Sequence, residues 1–122
     1  MKLSESDIQK IQGYFAAQKD VVAVYLYGSF AKGTTHPGSD IDFAVLFNKP
    51  TKDFHRISKI YSDLCDLKLP EEPEVRDINL VQSPVFLLNV IQGRLLFSSD
   101  EQKKNKFEVA VLRQYYDTQR LR

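Results

Sequence analysis

The stretch "YGSFAKGTTHPGSDIDFAV", residues 27–45, decides how this chain is read. It closes one apolar run, "VVAVYLY" (21–27), and opens a second, "DIDFAVLF" (40–47). The first run is β-branched and aromatic with no polar alternation, which predicts a central strand buried on both faces. Gly28 breaks it, since glycine takes backbone angles closed to other residues and lets a ligand approach the main chain. "SFAKG" predicts one or two helical turns, with Ser29 near the N-cap and Gly33 near the C-cap. "TTHPGS" is a turn, and the second run is a second strand.

Side chains alternate along a strand, so Asp40 and Asp42 point to one face while Ile41, Phe43, Val45 and Phe47 point to the other. The apolar face should meet helices. The acid face continues as Ala44 and Leu46, so it opens to solvent only at its N-terminal end. Two carboxylates held together there repel, and one tends to keep its proton. A divalent cation relieves that cost, and hard carboxylate oxygens suit Mg²⁺. On the other strand, the free N–H groups after Gly28 favour an anion. The Ser29 hydroxyl adds a donor, Lys32 lies one turn on, and Ser39 directly precedes the acids. Strand one thus offers a phosphate cradle and strand two a metal site.

Working outward, Ser4 to Lys19 reads as a helix with Ser6 and Gln9 as a capping box and Ile8, Ile11 and Phe15 on one face. Asp53 to Leu67 is a second helix with Phe54, Ile57, Tyr61 and Leu64 as its apolar stripe. "KLPEEPE" is a loop, and "VRDINLV" (75–81) is a third strand. Pro84 opens the next helix at N1, Gly93 ends it, "RLLF" is a short edge strand, and a last helix runs to about Gln119. The order predicts an α/β (α+β) domain, a small mixed sheet with helices packed on it. On the third strand, Asp77 shares a face with Asn79 and Val81, opposite Ile78 and Leu80. If strands two and three pair, Asp77 is expected beside Asp40 and Asp42. Three such carboxylates can hold two ions about 4 Å apart for an in-line phosphoryl displacement.

Composition narrows the classes. With 122 residues the chain is expected to form a single domain, 1–122, able to bury a core without staples. A net charge of +1 and one short basic cluster, "KKNK" (103–106), lack the basic stripe of a protein tracking nucleic acid. One cysteine, Cys65, excludes an intrachain disulfide and fits a reducing compartment. The start, "MKLSESDIQK", has no apolar signal core, and no run approaches ~18 apolar residues. The expected location is the cytoplasm, away from membranes.

"LYGSFAKGTTHPGSDIDFAVLF" resembles the signature of the nucleotidyltransferase superfamily related to DNA polymerase β: G-S, a spacer, D-x-D, and a third acid on a later strand. The matching residues are Gly28, Ser29, Asp40, Asp42 and Asp77. Short chains of this kind resemble the minimal nucleotidyltransferase (MNT) antitoxins, encoded beside HEPN-domain toxins. The resemblance implies that Asp40 and Asp42 bind Mg²⁺ carrying an ATP triphosphate, that Asp77 completes the second metal site, and that Ser29 and nearby backbone hold the terminal phosphates. AMP would pass to a tyrosine hydroxyl of a HEPN-type RNase toxin, with pyrophosphate leaving. Lys32 stands where the family often has arginine, which keeps the charge but loses the planar fork. Two rivals follow: a non-catalytic antitoxin that masks its toxin, and transfer to a small-molecule acceptor, which generally needs a second domain.

Other residues read blandly. His36 is an exposed loop histidine, His55 and Arg56 are solvated, Arg76 faces away from Asp77 toward the surface, and Cys65 is a small core residue. The last helix carries two stripes, Phe107/Val111/Tyr115 and Val109/Leu112/Tyr116. One can pack on the sheet and the other can meet a partner or a second copy.

Overall fold

The computed structural model describes residues 2–51 and 53–120. The elements run α1 (Glu5–Ala16), β1 (Val21–Tyr27), α2 (Ser29–Lys32), β2 (Ile41–Phe47), α3 (Phe54–Asp66), β3 (Pro73–Asp77), α4 (Pro84–Ile91), β4 (Arg94–Ser98) and α5 (Glu101–Arg120). The expected order holds throughout. Two ends differ: α1 stops at Ala16, and its capping box is Ser4 with Asp7, two residues before the Ser6–Gln9 pair. Ser4 Oγ accepts from Asp7 N while Asp7 Oδ2 accepts from Ser4 N, satisfying donors at both positions.

The four strands lie in the order β3-β2-β1-β4. β1 is antiparallel to β2 and β4, and β2 is parallel to β3 through the α3 crossover. All seven residues of β1 are buried, as its unbroken apolar run requires. One sheet face carries Val24, Leu26, Ile41, Phe43, Val45 and Phe47 against α1 and α3. The other carries Tyr25, Tyr27, Ala44 and Leu46 against Ile78, α4 (Leu87, Val90) and α5 (Val111). Both faces of the sheet are therefore covered, and the acid-bearing face turns apolar within two residues of Asp42.

The buried stripe of α3 is Ile60 and Leu64 with Ile57 partly buried; Phe54 (79% exposed) and Tyr61 fall outside it. Residues 57, 60 and 64 follow the i, i+3, i+7 spacing of one helical face, and 54 and 61 are rotated away from it. Cys65 is exposed rather than core. Arg56 is not free in solvent: its Nε and Nη2 donate to Asp20 Oδ2 and Oδ1 at 2.7 and 2.6 Å, tying α3 to the start of β1. On α5 the Phe107/Val111/Tyr115 stripe packs inward, and Val109, Leu112 and Tyr116 stay exposed. No helix among the described residues is long and apolar enough to cross a membrane.

Candidate active site

The antiparallel register of β1 and β2 sets Tyr27 directly across from Asp42. The glycine–serine break that ends β1 therefore lies beside the second acid of D-x-D. Gly28 has φ +72°, a left-handed angle that disfavours any side chain. A Cβ built on it would overlap Asp42 Oδ2, so the carboxylate rests against bare backbone. α2 follows, with Gly28 rather than Ser29 as N-cap and Gly33 (φ 73°) as the expected C-cap. Lys32 is exposed and lines a cavity of about 210 Å³ with Tyr27, Gly28, Ala31, Asn89, Gln92 and Gly93. Ser39 is buried and its Oγ accepts from His36 N at 3.0 Å, which shapes the turn leading into the acids. Asp40 is exposed just before β2 begins, and Asp42 is partly buried within it.

The third acid differs from expectation. In the parallel β2–β3 ladder Asp42 pairs with Glu74, Ala44 with Arg76 and Val45 with Asp77. Paired residues in a ladder share a face. Glu74 and Arg76 thus join Asp42, whereas Asp77 lies on the Val45 face, about 10 Å further along the strand at ~3.3 Å per residue. The structure does not bring Asp77 to the acid pair. Its Oδ1 accepts from Asn79 N at 2.9 Å, and its buried Oδ2 has no hydrogen-bond partner among the described residues. Burial raises its pKa, opposed by that backbone donor. β3 also ends at Asp77, so Asn79 and Val81 are not strand residues. Asn79 instead continues the sheet with its amide, accepting from Phe47 N at 2.7 Å and donating to Phe47 O at 2.9 Å.

Glu74 and Arg76 are the residues that sequence reasoning missed. No sequence signal marked them: Ile78 packs with Ala44 and Leu46, so residues of its parity, 74 and 76, belong on the acid face, and only the packing shows it. The Asp42 carboxyl is pushed up to about 6, first by burial and then by Glu74, with which it can share a hydrogen bond, and by Asp40; Arg76 opposes the rise. Tyr27, across from it, is pushed up to about 12 by burial and then by Asp42. At neutral pH the phenol keeps its proton, while Asp42 ionises against a neighbouring acid. That strain is what a divalent cation relieves, so the donor chemistry at Asp42 and Glu74, with Asp40 at the mouth, fits one. Among the described residues no three His, Cys, Asp or Glu groups stand together in metal-holding geometry.

A mixed sheet with a glycine–serine turn seated on a D-x-D strand is the framework of a nucleotidyl-transfer domain. The chain belongs to the polymerase beta nucleotidyltransferase family, whose model matches residues 9–102. No curated protein sequence matches it. Among solved structures it is similar to a toxin–antitoxin chain crystallised with AMP-PNP: 26% identity, TM-score 0.74, covering 96% of this chain and 90% of that one. It is also similar to a chain from a tyrosine-to-alanine mutant of the toxin–antitoxin pair MntA-HpeT, at 29% identity and TM-score 0.73, covering 96% and 89%. The fold recurs at 21% identity and TM-score 0.72, over 94% and 88%, in a complex of tri-AMPylated Shewanella oneidensis HEPN toxin with MNT antitoxin. The chain is thus a nucleotidyltransferase-family protein that shares its fold with chains of toxin–antitoxin structures.

Proposed function

We propose that this protein transfers AMP from ATP to a tyrosine hydroxyl of a HEPN-type toxin and so acts as its antitoxin, in the cytoplasm. The observation that carries the reading is the seating of the Gly28 backbone on the Asp42 carboxylate, which joins an anion cradle to an acid cluster. Asp42 and Glu74, with Asp40 at the mouth of the site, would hold Mg²⁺, whose chemistry is to neutralise phosphate charge and stabilise the oxygens of an in-line displacement. Gly28 lets the triphosphate approach the main chain, and the N–H of Ser29, the Ser29 hydroxyl and Lys32 bind its oxygens. Glu74, paired with Asp42 across the β2–β3 ladder, would accept the proton of the attacking hydroxyl. The structures with AMP-PNP and with an AMPylated toxin support the choice of nucleotide and acceptor.

The test incubates the chain with labelled ATP, Mg²⁺ and the helical HEPN-type protein encoded beside it. Label should appear on the partner and vanish with Asp40→Asn or Asp42→Asn, both variants staying folded. A partner neutralised without label would overturn transfer in favour of masking.

A further inference from the structure

The cation on the acid face, Arg76, has no part in the site as described so far. It projects from β3 beside Ala44, on the face of Asp42 and Glu74. Its guanidinium carbon lies 4.9 Å from the centre of the Phe86 ring at the start of α4. Phe86 in turn meets Tyr27 edge-on, with ring centres 5.5 Å apart and planes at 82°. Arginine stacked on an aromatic face is held by its flat surface, leaving the in-plane N–H donors free. Here those donors stay unclaimed by acids: Arg76 makes no ion pair among the described residues, although two carboxylates share its face. Its guanidinium also stands within hydrogen-bonding reach of the Tyr27 hydroxyl, which leaves the rest of its donors to a ligand. An exposed arginine fixed at an acid cluster, stacked and without an ion pair, is arranged for an anion that arrives with the ligand.

We propose that Arg76, braced by Phe86, binds a phosphate group of the nucleotide, as a second cation on the opposite side of Asp42 from Lys32. The assignment rests on the nucleotidyl-transfer reading of the same site. Its planar fork matches two phosphate oxygens, which an ammonium cannot. The Phe86 ring fixes the fork before the nucleotide arrives, so its removal weakens the same contact indirectly.

Calorimetric titration of the full chain with AMP-PNP and Mg²⁺ tests this. Arg76→Met should weaken binding about ten- to a hundredfold, Arg76→Lys should recover part of the loss, and Phe86→Leu should fall between wild type and Arg76→Met. Arg76→Met should still melt cooperatively within a few degrees of wild type, because the side chain is exposed and gives up only its surface contact with Phe86 and its opposition to Asp42. Wild-type affinity in Arg76→Met would overturn this proposal alone and leave Arg76 a mere counter-charge to Asp42. A wild-type chain that binds no AMP-PNP would overturn the nucleotidyl-transfer reading itself.

Discussion

Removing the charge of Asp42 should make the fold more stable while destroying its activity. In Asp42→Asn the neutral amide no longer ionises beside Glu74. Raising a carboxyl from 3.8 to about 6 corresponds to roughly 3 kcal/mol at 1.36 kcal/mol per pKa unit. Asp42 is only partly buried, so water and salt screen much of this, and about 1 kcal/mol is expected. The sign follows from the direction. Well below pH 3.8 Asp42 is protonated in both folded and unfolded chains, so wild type and variant differ little. Between 3.8 and about 6 the unfolded chain ionises while the folded chain still holds its proton, so wild type loses stability relative to the variant across that window, and the gap stays constant above about 6. Thermal unfolding from pH 4 to 7.5 without divalent ions should show Asp42→Asn gaining about 3–5 °C over wild type above pH 7 and much less at pH 4. Added Mg²⁺ should raise wild type and leave the variant nearly unmoved. A gap between the two that does not change with pH would refute the argument that Asp42 and Glu74 crowd each other.

Glu74→Gln should lower transfer at least a hundredfold, comparable to losing a general base, while Asp77→Asn stays within a few fold of wild type; single-turnover labelling of the partner compares them. Gly28→Ala should lose both activity and stability, because a methyl group there overlaps Asp42 Oδ2 and φ is +72°; labelling and melting both report it. Asn79→Ala should cost about 1–3 kcal/mol in urea unfolding, since it strips partners from the N–H and C=O of Phe47.

Much of the fold was legible because its signals are local. The unbroken run at 21–27 could only be a central strand, and Gly28, Gly33, Pro84 and Gly93 punctuated the elements where backbone geometry demands it. Local signals also misled. Ser6 and Gln9 have capping-box spacing, but Ser4 and Asp7 make the bonds, because two similar patterns two residues apart differ only in which one the helix start reaches. Phe54 and Tyr61 fit a helical stripe by spacing, yet α3 turns Ile57, Ile60 and Leu64 to the sheet.

By itself the sequence determined the two halves of the opening motif, the glycine–serine turn and the paired aspartates, which meet if their strands are neighbours. Strand alternation aims the acid, and a short connection between strands favours their direct pairing. The tertiary structure alone decided which later residues complete the site. Asp77 was chosen because Ile78 and Leu80 looked like the buried side, which assumes a sheet with one apolar face. This sheet is covered on both faces, so apolar character does not say which way a strand is turned. The register Asp42–Glu74 answers that question, and it is fixed by the α3 crossover and by the packing of Ile78 beneath Ala44, contacts that link residues more than thirty positions apart.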